Sequence, residues 1–436
     1  MKGPELFLLF QKYPSICTDT RKLKEGDLFF ALRGERFDGN VYAEKALDAG
    51  ASRAIIDDSR YAKKGDKRYI LVENVLTSLQ ELARLYRRSL SIPVLGITGS
   101  NGKTTSKELT YAALQAEKKV FATQGNLNNH IGVPLSLLSI PPDAEIAIIE
   151  MGTNQPGDIQ ELVEIAEPDH GLITNIGSAH LERLGSIGGI REEKGALFRW
   201  VMKEGGRIFL NQADPELLKL IADYKNLTTY GREDSDYLLE IKQNNAKGIE
   251  MEVVNKNWEQ KEVFRLNLSG SYNALNALVA IAVAQFFDVS LAGIKAGLSS
   301  YVSSNNRSQI MEREGYQIYL DAYNANPSSM KASIANIFEL GKKKVCLILG
   351  DMFELGKEEE QMHAELGRFV KTFSPYMCIG IGKLMAFMLA EIEGKKAGFP
   401  DAASAKEHIV ELIEGADMVM IKGSRGMALE SLLEKI

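Results

Sequence analysis

The chain has 436 residues, of which 45% are hydrophobic and 25% are charged, and its formal net charge is -6. This composition is typical of a soluble globular protein, and the length predicts about two to four domains because one hydrophobic core stops growing at about 250–300 residues. The weakly acidic balance excludes a global attraction to nucleic acid or to an anionic membrane, although a local basic cleft can still bind a nucleotide.

The three cysteines, Cys17, Cys346 and Cys378, are far apart and have no C-x-x-C spacing. We expect buried free thiols in a reducing compartment rather than a redox or metal site. The apolar run LFLLF near the amino terminus is too short for a signal sequence, and no segment reaches the roughly 18 apolar residues of a membrane span. The sequence therefore predicts a cytoplasmic protein without a membrane span.

In chain order, a small α/β unit comes first. The stretches DLFFALRGERFDGN and ASRAIIDD contain strand-like apolar runs, and a helical pattern follows from Ser78 to Ser91. Next, the runs IPVLGIT, AEIAIIEMG, DHGLITNIG and GGRIFLN alternate with helical segments, which predicts a parallel sheet covered on both faces.

The pattern changes after this second unit. Residues 226–268 predict antiparallel strands joined by turns, and the polar stretch 299–309 predicts a linker. The linker leads to a third α/β unit with the strand-like runs KKKVCLILGDM, YMCIGIG and DMVMIKGS. We expect domains at residues 1–90, 91–301 and 302–436.

The segment VLGITGSNGKTTSKEL, residues 94–109, is typical of a phosphate-binding loop. The strict pattern G-x-x-x-x-G-K-[ST] requires a glycine at position 97, where Ile97 stands. An apolar strand nevertheless precedes the loop, and a helical pattern follows from Thr104. Backbone N–H groups from Gly99 to Lys103 can therefore converge on phosphate oxygens, with Lys103 adding charge and Thr104 offering a hydroxyl to Mg²⁺. The alternative is a glycine-rich turn with a solvated lysine.

Two further side chains follow predicted strands. Glu150 ends AEIAIIE, and His180 lies in the loop after GLITNI. Alone, Glu150 would equally suit a metal ligand or a surface charge, and a single histidine is more often structural or solvated. Because strand ends in a doubly wound sheet face the ligand crevice, their combination with a phosphate loop favours metal or substrate binding.

Eight motifs occur in the order typical of one enzyme family: GITGSNGKTT, GNLNNHIGVPLSLL, IIEMGTNQPGDI, LITNIGSAHLERLGSI, EKGALF, DAYNANPSSM, LGDMFELG and KGSRGM. The chain resembles the Mur ligases. Their phosphate loop reads G-x-x-G-x-x-G-K-T, which Gly96, Gly99 and Gly102 match, so Ile97 is no obstacle. The resemblance implies a three-domain α/β architecture with a central P-loop ATPase domain and a Rossmann-like C-terminal domain.

The resemblance also implies a chemistry. DAYNANP and GDMFELG favour the members that join D-alanyl-D-alanine to UDP-N-acetylmuramoyl-tripeptide, using ATP and two Mg²⁺ ions through an acyl-phosphate, and no DNPR-type signature is found. ATP, the tripeptide and the dipeptide would bind in that order, in a monomer without nucleic-acid partners. The alternatives are another amide ligase of the family, such as a UDP-MurNAc-dipeptide ligase or a folylpolyglutamate synthase, a P-loop kinase or switch NTPase, and a non-catalytic nucleotide-binding module.

The resemblance carries over to individual residues. The catalytic residues would be Lys103, His180, Lys194, Arg307 and Asp321. The nucleotide site would be formed by Gly99, Ser100, Asn101, Gly102, Lys103, Thr104, Thr105, Asn273, Asn276, Arg307 and Asp321. The substrate sites would be formed by Asp19, Thr20, Arg21, Arg33, Asp38, Gly39, Asn128, Asn129, Tyr323, Asn324, Asn326, Asp351, Glu354, Ser424 and Arg425. The metal ligands would be Thr104, Glu150, His180 and Lys194.

Some positions depart from the family or allow two interpretations. Tyr272 stands where a histidine is common, and Leu320 and Ala322 replace a frequent Asp and Ser. Lys194 follows Glu192 and Glu193, which locally suggests a solvated ion pair, whereas the family implies a carbamylated lysine that binds the second Mg²⁺.

Overall fold

The computed structural model describes residues 3–303 and 306–436. Ser304 and Asn305, which belong to the predicted linker 299–309, lie outside the described residues. Three main sheets and one two-stranded ribbon form the framework. Among the described helices, none combines the length and the apolar character of a membrane span.

The strands divide among the sheets in chain order. The first sheet and its ribbon contain β1 (Ile16–Cys17), β2 (Leu28–Phe30), β3 (Arg33–Gly34), β4 (Phe37–Asp38), β5 (Arg53–Ile56) and β6 (Tyr69–Leu71). The second sheet contains β7 (Val94–Thr98), β8 (Val120–Ala122), β9 (Ile146–Glu150), β10 (His170–Ile173), β11 (Arg207–Asn211), β12 (Leu227–Tyr230), β13 (Tyr237–Asn245), β14 (Gly248–Asn255) and β15 (Glu262–Leu266). The third contains β16 (Gln309–Arg313), β17 (Tyr316–Leu320), β18 (Val345–Gly350), β19 (Met377–Ile381), β20 (Lys396–Phe399) and β21 (Met418–Lys422).

The α-helices follow the same order. Helices of the first half are α1 (Gly3–Lys12), α2 (Ala43–Asp48), α3 (Val75–Ser89), α4 (Lys103–Leu114), α5 (Gly132–Leu138), α6 (Asp158–Ala166), α7 (Leu181–Leu184) and α8 (Ile187–Lys203). Helices of the second half are α9 (Pro215–Leu218), α10 (Ser271–Phe286), α11 (Leu291–Ser300), α12 (Pro327–Glu339), α13 (Glu359–Lys371), α14 (Met385–Ala390), α15 (Ala402–Lys406) and α16 (Ile409–Leu412).

The first sheet has the strand order β1-β2-β5-β6, and all its pairs are parallel. The small α/β unit predicted before residue 90 is therefore confirmed. Helix α3 begins earlier than the predicted Ser78, because the Asn74 side chain accepts a hydrogen bond from the Thr77 backbone N–H and caps the helix.

The second sheet has the order β15-β14-β13-β12-β11-β10-β7-β9-β8. Its pairs are parallel from β8 to β13 and antiparallel in β13-β14-β15. The antiparallel prediction for residues 226–268 is right for β13 to β15 but wrong for Leu227–Tyr230. That strand pairs in parallel with β11, since helix α9 provides the crossover between them.

The third sheet has the order β16-β17-β21-β18-β19-β20, and only the β16-β17 pair is antiparallel. Separate buried apolar clusters cover its two faces, and two larger clusters cover the faces of the second sheet. The predicted α/β class is therefore confirmed. All three cysteines are buried free thiols, as expected.

Candidate active site

One large cavity lies between the carboxyl ends of the second and third sheets. Its volume is about 840 Å³. It is lined on one side by the loops that follow β7, β9 and β10, and on the other by the loop that follows β17 and by Lys422, the last residue of β21. Ligands of parallel α/β sheets bind at this edge of the strands. The cavity brings together most of the predicted site residues, namely Ser100, Asn101, Gly102, Lys103, Thr104, Thr105, Asn128, Asn129, Glu150, His180, Asn273, Asn276, Arg307, Asp321, Tyr323, Asn324 and Asn326.

The phosphate loop needs glycine at two positions. Gly99 (φ +148°) lies so close to Thr174 that a Cβ would be 1.9 Å from its hydroxyl oxygen, and Gly102 adopts φ +78° beside Asn276. Helix α4 begins at Lys103, one residue before the predicted Thr104. The Lys103 Nζ donates to the Gly99 carbonyl at 2.5 Å, so the lysine folds over its own loop.

The charge on Lys103 is perturbed by its surroundings. Burial lowers the pKa of Lys103 to about 8, Glu150 opposes this change, and Arg307 adds to it. A phosphate anion in the cavity would relieve the repulsion from Arg307 and favour the charged ammonium.

Glu150 is the candidate ligand for Mg²⁺. It is buried, and its Oε1 accepts hydrogen bonds from the Thr104 hydroxyl at 3.2 Å and the Asn128 amide at 2.8 Å. Its Oε2 has no hydrogen-bond partner among the described residues. Mg²⁺ is commonly held by one or two carboxylates together with substrate phosphates, so Glu150 and Thr104 fit this ion.

Lys194 is not at the surface. Its side chain is 0% exposed, and its Nζ has no hydrogen-bond partner among the described residues. Burial lowers the pKa of Lys194 well below its ordinary value, Lys103 adds to the effect, and Glu193 opposes it. The Glu193 carboxylate instead accepts backbone N–H groups of Gly157 and Ile159, both at 2.7 Å, and Glu192 pairs with Arg199. The interpretation as a solvated ion pair is therefore wrong.

His180 meets the third domain. Its Nδ1 lies against the Glu354 carboxylate and holds the pKa of Glu354 below its ordinary value. The Glu182 N–H also donates to the Glu354 carbonyl at 3.1 Å. Two predicted residues with different expected roles, a metal ligand and a substrate contact, thus lie side by side.

The third domain supplies two cations. The Arg307 guanidinium stacks 3.7 Å above the Tyr323 ring, and Lys422 donates to the Asp321 carboxylate at 2.5 Å. Lys422 is buried and lines the cavity, although sequence reasoning assigned it no role. The sequence did contain a signal for Lys422, because this lysine ends the apolar run DMVMIK. A lysine in such a buried position usually has an acidic partner.

The phosphate loop touches the third domain directly. The Asn326 amide donates to the Asn101 side-chain oxygen at 2.8 Å, and the Asn101 amide donates to the Ser328 hydroxyl at 2.9 Å. Asn326 also caps helix α12. The second and third domains are therefore in contact across the cavity.

The other predicted substrate residues lie outside this cavity, at Asp19, Thr20, Arg21, Arg33, Asp38, Gly39, Asp351, Glu354, Ser424 and Arg425. In the first domain, Arg33 contacts Asp38, Asp57 and Asp58 at 3.0–3.5 Å. In the third, the Asp351 carboxylate accepts from the Met385 N–H at 2.9 Å. These carboxylates already have partners within the chain.

Comparison with known proteins decides the family. Three family descriptions match: Mur ligase family, catalytic domain at residues 12–87, Mur ligase middle domain at 97–284, and Mur ligase, glutamate ligase domain at 306–425. The chain belongs to the Mur ligase family. The three-domain architecture that the sequence motifs implied is thereby confirmed.

Relatives and solved structures show which members of the family the chain is similar to. The chain is 36% identical to UDP-N-acetylmuramoyl-tripeptide–D-alanyl-D-alanine ligase of Bacillus subtilis, with 97% of this chain and 92% of the relative covered. Identity to the Escherichia coli ligase of the same name is 31%, with 97% and 93% covered. The structure of MurF from Acinetobacter baumannii superposes with a TM-score of 0.88 at 29% identity, covering 96% and 92%. MurF ligase from Thermotoga maritima in complex with ADP superposes with a TM-score of 0.85 at 29% identity, covering 97% and 96%.

Proposed function

We propose that this Mur ligase joins D-alanyl-D-alanine to UDP-N-acetylmuramoyl-tripeptide and converts ATP to ADP and inorganic phosphate in the reaction. The observation that carries the proposal is that Lys103 of the phosphate loop and Arg307 of the third domain line one cavity. Two cations from different domains suit a reaction in which two anions, a phosphate and a carboxylate, must meet.

The proposed chemistry has two steps. The tripeptide carboxylate attacks the γ-phosphorus of ATP, which forms an acyl-phosphate and releases ADP. The amine of the dipeptide then attacks the acyl carbon, loses a proton, and expels inorganic phosphate to leave an amide. Lys103 and Arg307 neutralise charge in the first step and the tetrahedral oxyanion in the second. Asp321 positions Lys422 and the backbone at Ser308 beside Arg307.

Two metal positions accompany this proposal. Glu150 and Thr104 would hold one Mg²⁺, which supplies charge neutralisation at the phosphates. Lys194 and His180 would hold the second. The buried Lys194 amine has no hydrogen-bond partner in the described part of the chain and favours the neutral form, so it can add CO₂ and release a proton to become an anionic carbamate ligand.

The wider setting follows from the same proposal. The units would be residues 1–90 for the UDP end of the substrate, 91–301 for ATP and 302–436 for the dipeptide. The enzyme would work in the cytoplasm, as a monomer and without nucleic-acid partners.

ATP turnover with UDP-MurNAc-tripeptide, with and without D-alanyl-D-alanine, tests the proposal. We expect phosphate release only with the dipeptide and a product heavier by one dipeptide less water. Repeated turnover of ATP into a phosphorylated product without the dipeptide would indicate a kinase, because the ligase stops after one acyl-phosphate per enzyme. No hydrolysis under any condition would indicate a binding module. Turnover with UDP-MurNAc-dipeptide and an amino acid, or with a folate and glutamate, would indicate another ligase of the family.

A further inference from the structure

The Tyr272 side chain bridges two domains. It belongs to the first turn of α10 in the second domain, and its hydroxyl lies 2.5 Å from the Tyr319 hydroxyl and 3.1 Å from the Ser308 hydroxyl. Tyr319 is a fully buried residue of β17, and Ser308 immediately precedes β16. One partner of Tyr272 thus belongs to the third sheet, and the other belongs to the segment that leads into that sheet.

The backbone around Arg307 is strained. Ser308 adopts a φ of +49°, a left-handed conformation that most residues other than glycine disfavour. Asn306 has a φ of +52°, which asparagine tolerates better. Such a conformation persists only where neighbours hold it in place. The Ser308 N–H donates to Asp321 at 3.3 Å, and the Ser303 hydroxyl donates to the Arg307 carbonyl at 2.6 Å.

Of these contacts to Ser308 and Arg307, the one with the Tyr272 hydroxyl comes from the second domain. The hydrogen bond between the Ser308 N–H and Asp321 lies within the third domain and would move with that domain. The Tyr272 hydroxyl belongs to α10 and would stay with the second domain. The third domain must therefore be closed onto the second for Ser308 to have its full set of partners. Arg307 itself is stacked on Tyr323, and its Nε has no hydrogen-bond partner among the described residues.

We propose that the Tyr272 hydroxyl is a positioning group that couples closure of the third domain to the placement of Arg307. The inference rests on the proposed ligase function, in which Arg307 meets the transferred phosphate. Burial raises the pKa of Tyr272 to about 12, so the hydroxyl keeps its proton.

The variant Tyr272→Phe removes the bridge and keeps the ring. We expect kcat to fall by about 3- to 10-fold, as for one lost neutral hydrogen bond, while KM for ATP changes by less than about twofold. Tyr316→Phe is the matched control, because Tyr316 is on the same strand as Tyr319 and its hydroxyl has no hydrogen bond to any described side chain. We expect the control to match the wild type.

Two measurements separate positioning from general weakening. In an Arg307→Ala background, Tyr272→Phe should add no further loss of kcat, because the group it positions is gone. Independently of activity, hydrogen exchange of the segment around Ser308 in the ADP-bound protein should be faster in Tyr272→Phe and unchanged in Tyr316→Phe. Losses that multiply in the double variant, or exchange equal to the wild type, would overturn the proposal. A wild-type protein without ligase activity would instead count against the proposed function.

Discussion

Replacing Lys194 by methionine is expected to move stability and activity in opposite directions. The Lys194 side chain is 0% exposed, and its Nζ has no hydrogen-bond partner among the described residues. A buried polar group without a partner costs roughly 1–3 kcal/mol. Methionine has a similar shape and no amine, so Lys194→Met should raise the free energy of unfolding of the ligand-free protein by roughly that amount. For a domain of this size the melting temperature should rise by about 2–12 °C.

Activity should fall in the same variant. Methionine cannot form the proposed carbamate, so turnover should drop by at least the roughly 10- to 100-fold typical of disturbed metal sites. Lys194→Arg should also lose activity because the guanidinium stays cationic, and acetate should partly restore Lys194→Ala.

Calorimetry without nucleotide or metal measures the stability, and phosphate release with all three substrates measures the activity. Lys203→Met on the same helix is the control, because the Lys203 side chain is 74% exposed, and neither quantity should change. A Lys194→Met protein that is less stable than the wild type but fully active would refute the reasoning. Lys194 would then be a structural residue.

Three further outcomes are expected. Lys103→Ala should lower turnover by about 100- to 1000-fold with an unchanged circular dichroism spectrum, and near-normal ADP release would contradict its role. Burial lowers the pKa of Lys103 to about 8 and a bound phosphate raises it again, so ADP binding takes up a proton. Calorimetric ADP affinity should therefore be full below pH 8 and weaken by up to about tenfold per pH unit above it, whereas a flat profile would contradict the assignment. Lys422→Met leaves the Asp321 carboxylate without its cation and should lower the free energy of unfolding by about 3–5 kcal/mol. Adding Asp321→Asn should recover part of this loss. An equal loss in the double variant would show that the ion pair is not the cause.

The features that the sequence predicted correctly are those that depend on residues close together in the chain. A strand, a glycine-rich loop and a helix are consecutive in the chain, so the phosphate loop could be placed without tertiary information. The same holds for Glu150, which ends a fully buried strand. Lys194 also carried a signal, since it shares helical spacing with the buried Leu197, Phe198 and Val201. The acidic neighbours Glu192 and Glu193 obscured that signal.

Contacts between distant segments could not be predicted in the same way. Tyr272 and Tyr319 are 47 positions apart, and they meet because helix α10 of the second domain packs near strand β17 of the third. His180 and Glu354 meet for the same reason. The direction of β12 depended on a short crossover helix, α9, which contains only four residues and leaves a weak periodic pattern.

The most direct test of the central claim is the fate of oxygen in the tripeptide carboxylate. UDP-MurNAc-tripeptide labelled with ¹⁸O in that carboxylate is turned over with ATP and D-alanyl-D-alanine, and the released phosphate is analysed by mass spectrometry. An acyl-phosphate mechanism predicts one labelled oxygen in each phosphate, because the bridging oxygen leaves with phosphorus when the amine attacks. Unlabelled phosphate formed together with the pentapeptide product would contradict the mechanism.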